Sequence, residues 1–221
     1  MHGDSGTIRK LQALHFELET CRACPNVVGP VVHGPAVPSR ILLVGQAPGV
    51  REGEFGRPFA WTAGRTLFQW FERALGVDEQ MFRNSVYMSA VARCFPGKAA
   101  RGGGDRKPDP EEIARCAPFL EAEVRILKPA LLIPVGTLAI AQIFGEPRPL
   151  SDVVGRSIEV SWHGTEMECV ALPHPSGAST WHRMEPGKTL LARALRILAR
   201  HPEMRVAFKN RALTRPRSPS R

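Results

Sequence analysis

The chain has only five cysteines in 221 residues. That is too few for a disulfide scaffold at this length, and the odd number leaves one without a mate. Long apolar runs are missing as well. The longest uncharged stretch, 129–145, falls short of the ~20 residues a bilayer needs, and Pro134 and Gly136 interrupt it. The N-terminal MHGDSGTIRKLQALH contains no apolar signal core. Gly45-Gln46-Ala47-Pro48-Gly49 is followed by no Gly-Lys-Ser/Thr and lacks the three-glycine dinucleotide fingerprint, which excludes two common phosphate cradles. Neither an internal repeat nor a second domain is visible. Acidic residues are absent from Arg205 to Arg221, a segment holding six basic ones: Arg205, Lys209, Arg211, Arg215, Arg217 and Arg221.

That segment accounts for most of the formal charge of +9, so a near-neutral body carries a cationic tail. Such a distribution favours polyanionic partners, nucleic acid first among them, and no membrane. Without a signal or span, the expectation is a cytoplasmic, nucleoid-associated monomer whose cysteines serve as ligands or nucleophiles. With 43% hydrophobic and 23% charged residues, a single core is affordable at this size.

Short apolar runs at 41–44, 86–88, 130–133 and 169–172 read as buried strands. A weaker pair, 157–160 and 168–172, suggests a hairpin. Helical periods lie between the strands. Leu67, Trp70, Phe71, Ala74 and Leu75 form one stripe ending at Gly76. Asp109-Pro110-Glu111-Glu112 reads as a capped helix start. Further helices follow over 137–144 and from Pro186. This alternation predicts an α/β fold, a three-layer α/β/α sandwich around a four-stranded, mainly parallel sheet. Residues 1–203 form the domain, and 204–221 a basic, loosely ordered tail.

Ligands of open parallel sheets collect beyond the carboxyl ends of the strands. Those ends lead into Gly45–Gly49, Ser89-Ala90-Val91-Ala92-Arg93-Cys94, Gly136-Thr137 and His174-Pro175-Ser176-Gly177. Cys21 and Cys24 precede the first strand, Cys94 lies 70 residues beyond Cys24, and Cys116 is 22 further on. By spacing alone, four thiolates suit an iron–sulfur cluster, a tetrahedral zinc or a redox Cys-x-x-Cys. Cys169, in mid-strand, reads as a small buried apolar residue.

Gly45-Gln46-Ala47-Pro48-Gly49, Glu52, Gly56-Arg57-Pro58-Phe59 and Ala63-Gly64 together resemble the first motif of the uracil-DNA glycosylase superfamily, in its iron–sulfur families 4 and 5. His174-Pro175-Ser176 resembles the second motif. Ser89–Cys94 with Pro108-Asp109-Pro110-Glu111-Glu112 and Cys116 resembles the segment between. The resemblance implies a monofunctional glycosylase of base excision repair. It would flip uracil out of DNA and hydrolyse its N-glycosidic bond. Alternatives are a catalytically weak module that holds uracil-containing or abasic DNA, and a glycosylase of wider range that accepts hypoxanthine or xanthine.

The resemblance assigns a [4Fe–4S] cluster to Cys21, Cys24, Cys94 and Cys116. It makes Phe59 the stacking surface for the base and His174 the donor to uracil O2 as charge builds there. Glu52 places water or stabilises the sugar cation. Gln46 departs from the acid usual in family 4, though its amide can orient water. Ala90 replaces a base-reading asparagine, which leaves the base edge to backbone groups of Gly45, Ala47 and Ser89. Ser176, Gly177 and Ser179 are assigned to DNA phosphates, and Arg183, Arg101 and Arg106 to gripping or wedging the strand. The basic insertion 98–107 resembles the loop of a relative that captures abasic DNA covalently through a histidine. This loop has none, so no covalent capture is expected.

Overall fold

A computed structural model describes residues 2–100 and 104–209. Strand β1 (Ile41–Gly45) is buried along its whole length. It lies between β2 (Tyr87–Ala90) and β3 (Leu131–Pro134), parallel to both. Side chains alternate through the sheet. Ile41 and Leu43 join Leu131 and Ile133 in one core, while Leu42 and Val44 join Tyr87 and Leu132 in the other.

The sheet has five strands rather than the expected four. Its order is β2-β1-β3-β5-β4, with β4 (Ile158–Trp162) antiparallel to β5 (Thr165–Cys169) at the edge. The extra strand is the hairpin suggested by the weaker pair. His163 (φ 48°) and Gly164 (φ 73°) form its two-residue turn, the left-handed geometry that suits a strand twist. Residues 170–172 continue along β3 through Val170 N–H to Leu132 O and Leu172 N–H to Pro134 O.

Helices cover both faces. On one side lie α3 (Thr62–Leu75), α4 (Glu79–Arg83), α8 (Gly187–Arg200) and α9 (Pro202–Lys209). On the other, α1 (His2–Thr20) packs on α5 (Pro110–Leu127). Short helices α2 (Glu52–Phe55), α6 (Thr137–Phe144) and α7 (Leu150–Val153) complete the set among the described residues. Asp109 and Glu112 close a reciprocal capping box at the start of α5, satisfying two backbone donors at once.

The tail boundary expected at residue 204 is corrected. Met204 and Phe208, four residues apart on α9, are buried in the core, and Phe208 stacks on Phe82 at 6.2 Å. Apolar burial on that face holds the helix down despite its basic outer residues. The remainder of the expected tail, 210–221, lies outside the described residues.

Candidate active site

The loop from Gly45 to Gly64 is fixed by close approaches that only glycine permits. The Phe59 ring packs on the end of β1, so a Cβ at Gly45 would meet it at 2.9 Å. A Cβ at Gly64 would sit 1.7 Å from the Phe59 carbonyl oxygen. Phe59 itself takes a left-handed φ of 53°, a cost of order 1 kcal/mol that neighbours must hold in place. Arg83 does so: its Nη1 donates to Pro58 O at 2.8 Å and its Nη2 to Phe59 O at 2.9 Å. Glu79 and the Phe68 ring steady the guanidinium.

Glu52 clasps the same loop from inside. One carboxylate oxygen accepts from Gly49 N–H at 2.5 Å and the other from Ala60 N–H at 3.1 Å. Burial raises its pKa, against the pull of those backbone donors. With both oxygens engaged, Glu52 organises the loop more directly than it can hold water.

His174 stands over the neighbouring strand end. A Cβ at Gly136 would meet its ring at 3.1 Å, and Gly136 has a φ of 90°, which glycine adopts freely. Ser176 N–H donates to His174 Nδ1 at 3.2 Å. That bond fixes the tautomer and leaves the proton on Nε2. Burial, with His182 nearby, lowers the His174 pKa, so the ring is neutral at physiological pH. Val135 N–H donates to Val44 O at 2.8 Å, joining the ends of β1 and β3. Phe59 and His174 therefore stand on adjacent strand ends of one rim.

The remaining expected residues divide. Ala90 lies opposite Gly45 in the sheet register. Gln46 and Ala47 are half-buried beside it, and Val91 and Ala92 N–H groups donate to the Gly45 and Gln46 carbonyls. The Ser89 hydroxyl points away and donates to buried Glu123 at 2.7 Å, while its carbonyl oxygen faces Gly45. Ser176 and Ser179 share a turn, with Gly177 exposed at its tip. Arg183 is exposed beside His182.

Arg106 is held within the chain. Its guanidinium forms a bidentate pair with Glu112 at 2.8 and 2.6 Å and reaches Asn26 O at 3.3 Å. It anchors the insertion instead of presenting a free charge to phosphate. Arg101 lies outside the described residues. Lys98 and Asp105 pair at 2.6 Å across the base of the insertion. This brings in a carboxylate that the sequence did not announce: Asp105 Oδ2 and Glu52 Oε2 lie 3.4 and 3.5 Å from where a Cβ on Gly49 would stand.

Behind the rim, Cys21 follows α1, and Cys116 lies on α5, which packs on that helix. Val28–Phe95 and Val32–Arg93 backbone bonds tie the Cys24 segment to Cys94. Burial pushes the Cys94 thiol up to about 11, with Cys116, Cys24 and Cys21 adding to the shift. Cys116 is raised in the same way. All four are free thiols. Among the described residues, no three His, Cys, Asp or Glu side chains close on one ion position. Cys169 stands apart on β5, its thiol pushed up to about 12 by burial.

Beside the thiols runs a buried polar chain. Glu123, fully buried, accepts from Tyr87 at 2.8 Å, Ser89 at 2.7 Å and Arg93 at 2.6 Å, and His15 bonds the Tyr87 hydroxyl at 2.8 Å. The Nε and Nη1 of buried Arg93 have no partner among the described residues.

The profile of the uracil DNA glycosylase superfamily matches residues 31–199. A type-4 uracil-DNA glycosylase of Pyrobaculum aerophilum is 32% identical over 179 residues, covering 75% of this chain and 83% of that protein. One from Thermotoga maritima is 32% identical over 169 residues, covering 75% and 81%. A type-5 enzyme of Thermus thermophilus is 31% identical over 141 residues, covering 50% and 60%. The paired strand ends bearing Phe59 and His174 thus occur within a matched span of well over half the sequence, and the chain belongs to the uracil-DNA glycosylase superfamily.

Proposed function

We propose that this protein is a monofunctional uracil-DNA glycosylase, hydrolysing the bond between uracil N1 and deoxyribose C1′ in DNA during base excision repair. The observation that carries the reading is the meeting of Phe59 and His174 on the joined ends of β1 and β3. Bond cleavage builds negative charge on the departing base and positive charge on the sugar. An N–H donor held in place before the reaction stabilises the first without reorganisation. His174 presents that donor at Nε2, because Ser176 occupies Nδ1.

Extrusion of the base costs a few kcal/mol, recovered through stacking and edge hydrogen bonds. Phe59 supplies the ring, and backbone groups of Gly45, Ala47 and Ser89 read the edge beside the small Ala90. With no asparagine at position 90, hypoxanthine or xanthine could also be read by those backbone groups. Water is oriented by the Gln46 amide and the carboxylate of Asp105, which flanks Gly49 opposite the loop-holding Glu52. Ser176, Gly177, Ser179 and Arg183 position the backbone of the strand and read no sequence.

Cys21, Cys24, Cys94 and Cys116 would hold a [4Fe–4S] cluster. The unpaired Nε and Nη1 of Arg93 fit an anionic guest in that corner, since buried donors are seldom left without acceptors. The cluster would supply a structural tie between α1, α5 and the strand leading from β2. Among the described residues, no helix is long and apolar enough to cross a membrane.

The test is a labelled oligonucleotide with one uracil, treated with protein and then alkali. Breakage at the uracil is the expected outcome. Breakage no greater than in a protein-free control would leave only a DNA-holding role. Parallel strands carrying hypoxanthine and xanthine define the range.

A further inference from the structure

The stretch from Arg51 to Trp61 carries an aromatic pair that the reaction does not use. Phe55 and Trp61 are 48% and 44% exposed. Their rings stack with centroids 5.8 Å apart and planes inclined by 24°. The Arg51 guanidinium lies 5.4 Å from the centre of the Trp61 ring. Arg51 and Phe55 are four residues apart across α2, so both side chains project from one face of that turn. Both therefore reach the indole from α2, and Trp61 remains 44% exposed.

Two exposed rings covering each other hide little apolar surface, so burial alone is a weak reason for them. Nucleobases stack on such rings whatever their sequence, and an arginine beside the ring adds to the attraction. The surrounding charge suits a DNA strand. Arg51, Arg57 and Arg65 are exposed, Glu52 is buried, and Glu54 is paired to Arg51 at 3.0 Å. The pair is also fixed to the rim, because Ala60 N–H is held by Glu52 and Phe59 lies two residues before Trp61.

We propose that Trp61, backed by Phe55 and Arg51, is a stacking subsite for an unpaired base next to the excised nucleotide. It lets the protein act on single-stranded DNA. A base within a duplex is already stacked on its neighbours, so the subsite contributes little there. This inference rests on the reading of the rim as a DNA site, but its test can be separated from that reading.

Binding of a uracil-free single strand should weaken roughly ten- to a hundredfold in Trp61→Ala, and less in Trp61→Phe. Affinity for a duplex of the same sequence should change little. On uracil-containing single strands, the KM should rise while kcat holds. An abasic spacer at the flanking position should lower the affinity of the unaltered protein and leave that of Trp61→Ala where it was. 2-Aminopurine at that position should be quenched on binding, and the quenching should be lost in the variant. Equal affinities for the single strand in the two proteins, with unchanged melting temperatures, would overturn the subsite. So would equal losses on single strand and duplex. If the unaltered protein excises no uracil yet binds single strands through Trp61, the glycosylase reading fails and the subsite stands.

Discussion

The rim loop and the thiol corner both lie beyond the carboxyl ends of the parallel strands, where β1 leads into Gln46 and β2 into Cys94, and they close in different ways. In the loop, buried polar groups are answered from within the chain: Glu52 takes two backbone N–H groups, and Arg83 takes the carbonyls of Pro58 and Phe59. In the corner, four thiols stand free, and two N–H groups of buried Arg93 have no partner among the described residues. A site that must be in place before its substrate arrives gains from the first arrangement. The second leaves donors that the proposed cluster would answer, so the two should respond differently when disturbed.

The largest effect is expected in the corner. Purified protein should be brown, with broad absorption in the violet to blue. Chelating the iron, or Cys116→Ala, should bleach it. Arg93 and Glu123 would then remain as a buried pair with its other donors unanswered. Losing one member of a buried charged set costs ~3–5 kcal/mol, which for a chain of this length lowers the melting temperature by roughly 10 °C. A colourless protein carrying zinc, or an unchanged melting temperature after chelation, would show that the corner is closed without iron.

In the rim, chemistry and scaffold should come apart. His174→Ala removes one preorganised donor and should slow excision by roughly 10²–10³-fold, with the melting temperature little changed. Arg83→Met leaves two buried carbonyls unanswered and should cost about 3 kcal/mol of stability. It should also slow excision by freeing Phe59. Single-turnover rates beside melting curves check both. If His174→Ala excises normally, the imidazole does not touch the base.

Much of the rim was legible because glycines mark it. Gly45 and Gly64 are positions where a ring or carbonyl comes too close for a Cβ, Gly136 takes a φ of 90° beside the His174 ring, and their spacing within the motifs is a local property. The parts that stayed hidden depend on distant partners. Arg83 reads as a surface helix residue until the fold carries it to carbonyls 24 and 25 residues away. Arg106 reads as free charge because its partner Glu112 looks like an ordinary first-turn acid. Asp105 reaches Gly49 only when the insertion folds back on Lys98. Two helices had usable signals. Leu11, Leu14 and Leu18 form the buried stripe of α1, and Met204 and Phe208 that of α9, where the basic composition of the tail masked a short apolar period.

The smallest expected effect concerns the polar chain beside the corner and depends on pH. Burial, reinforced by the neighbouring His33, lowers the His15 pKa to about 4. Because Tyr87 donates its proton to Glu123, His15 is the donor to the Tyr87 hydroxyl. Burial, not the donor role, makes the neutral ring the form that the fold favours. The unfolded chain takes up a proton near pH 6.5 and the folded one does not, so stability falls as the pH drops below 6.5 and levels out near 4. At pH 5 the loss from this residue is about 2 kcal/mol. Urea unfolding at pH 7 and pH 5 should show that slope in the unaltered protein and a smaller one in His15→Gln, which keeps a donor and cannot titrate. Equal slopes would place the acid sensitivity in the other buried histidines, His174 and His182, whose pKa values are also lowered by burial. The rim, and not the corner, would then be the part of the molecule that acid loosens first.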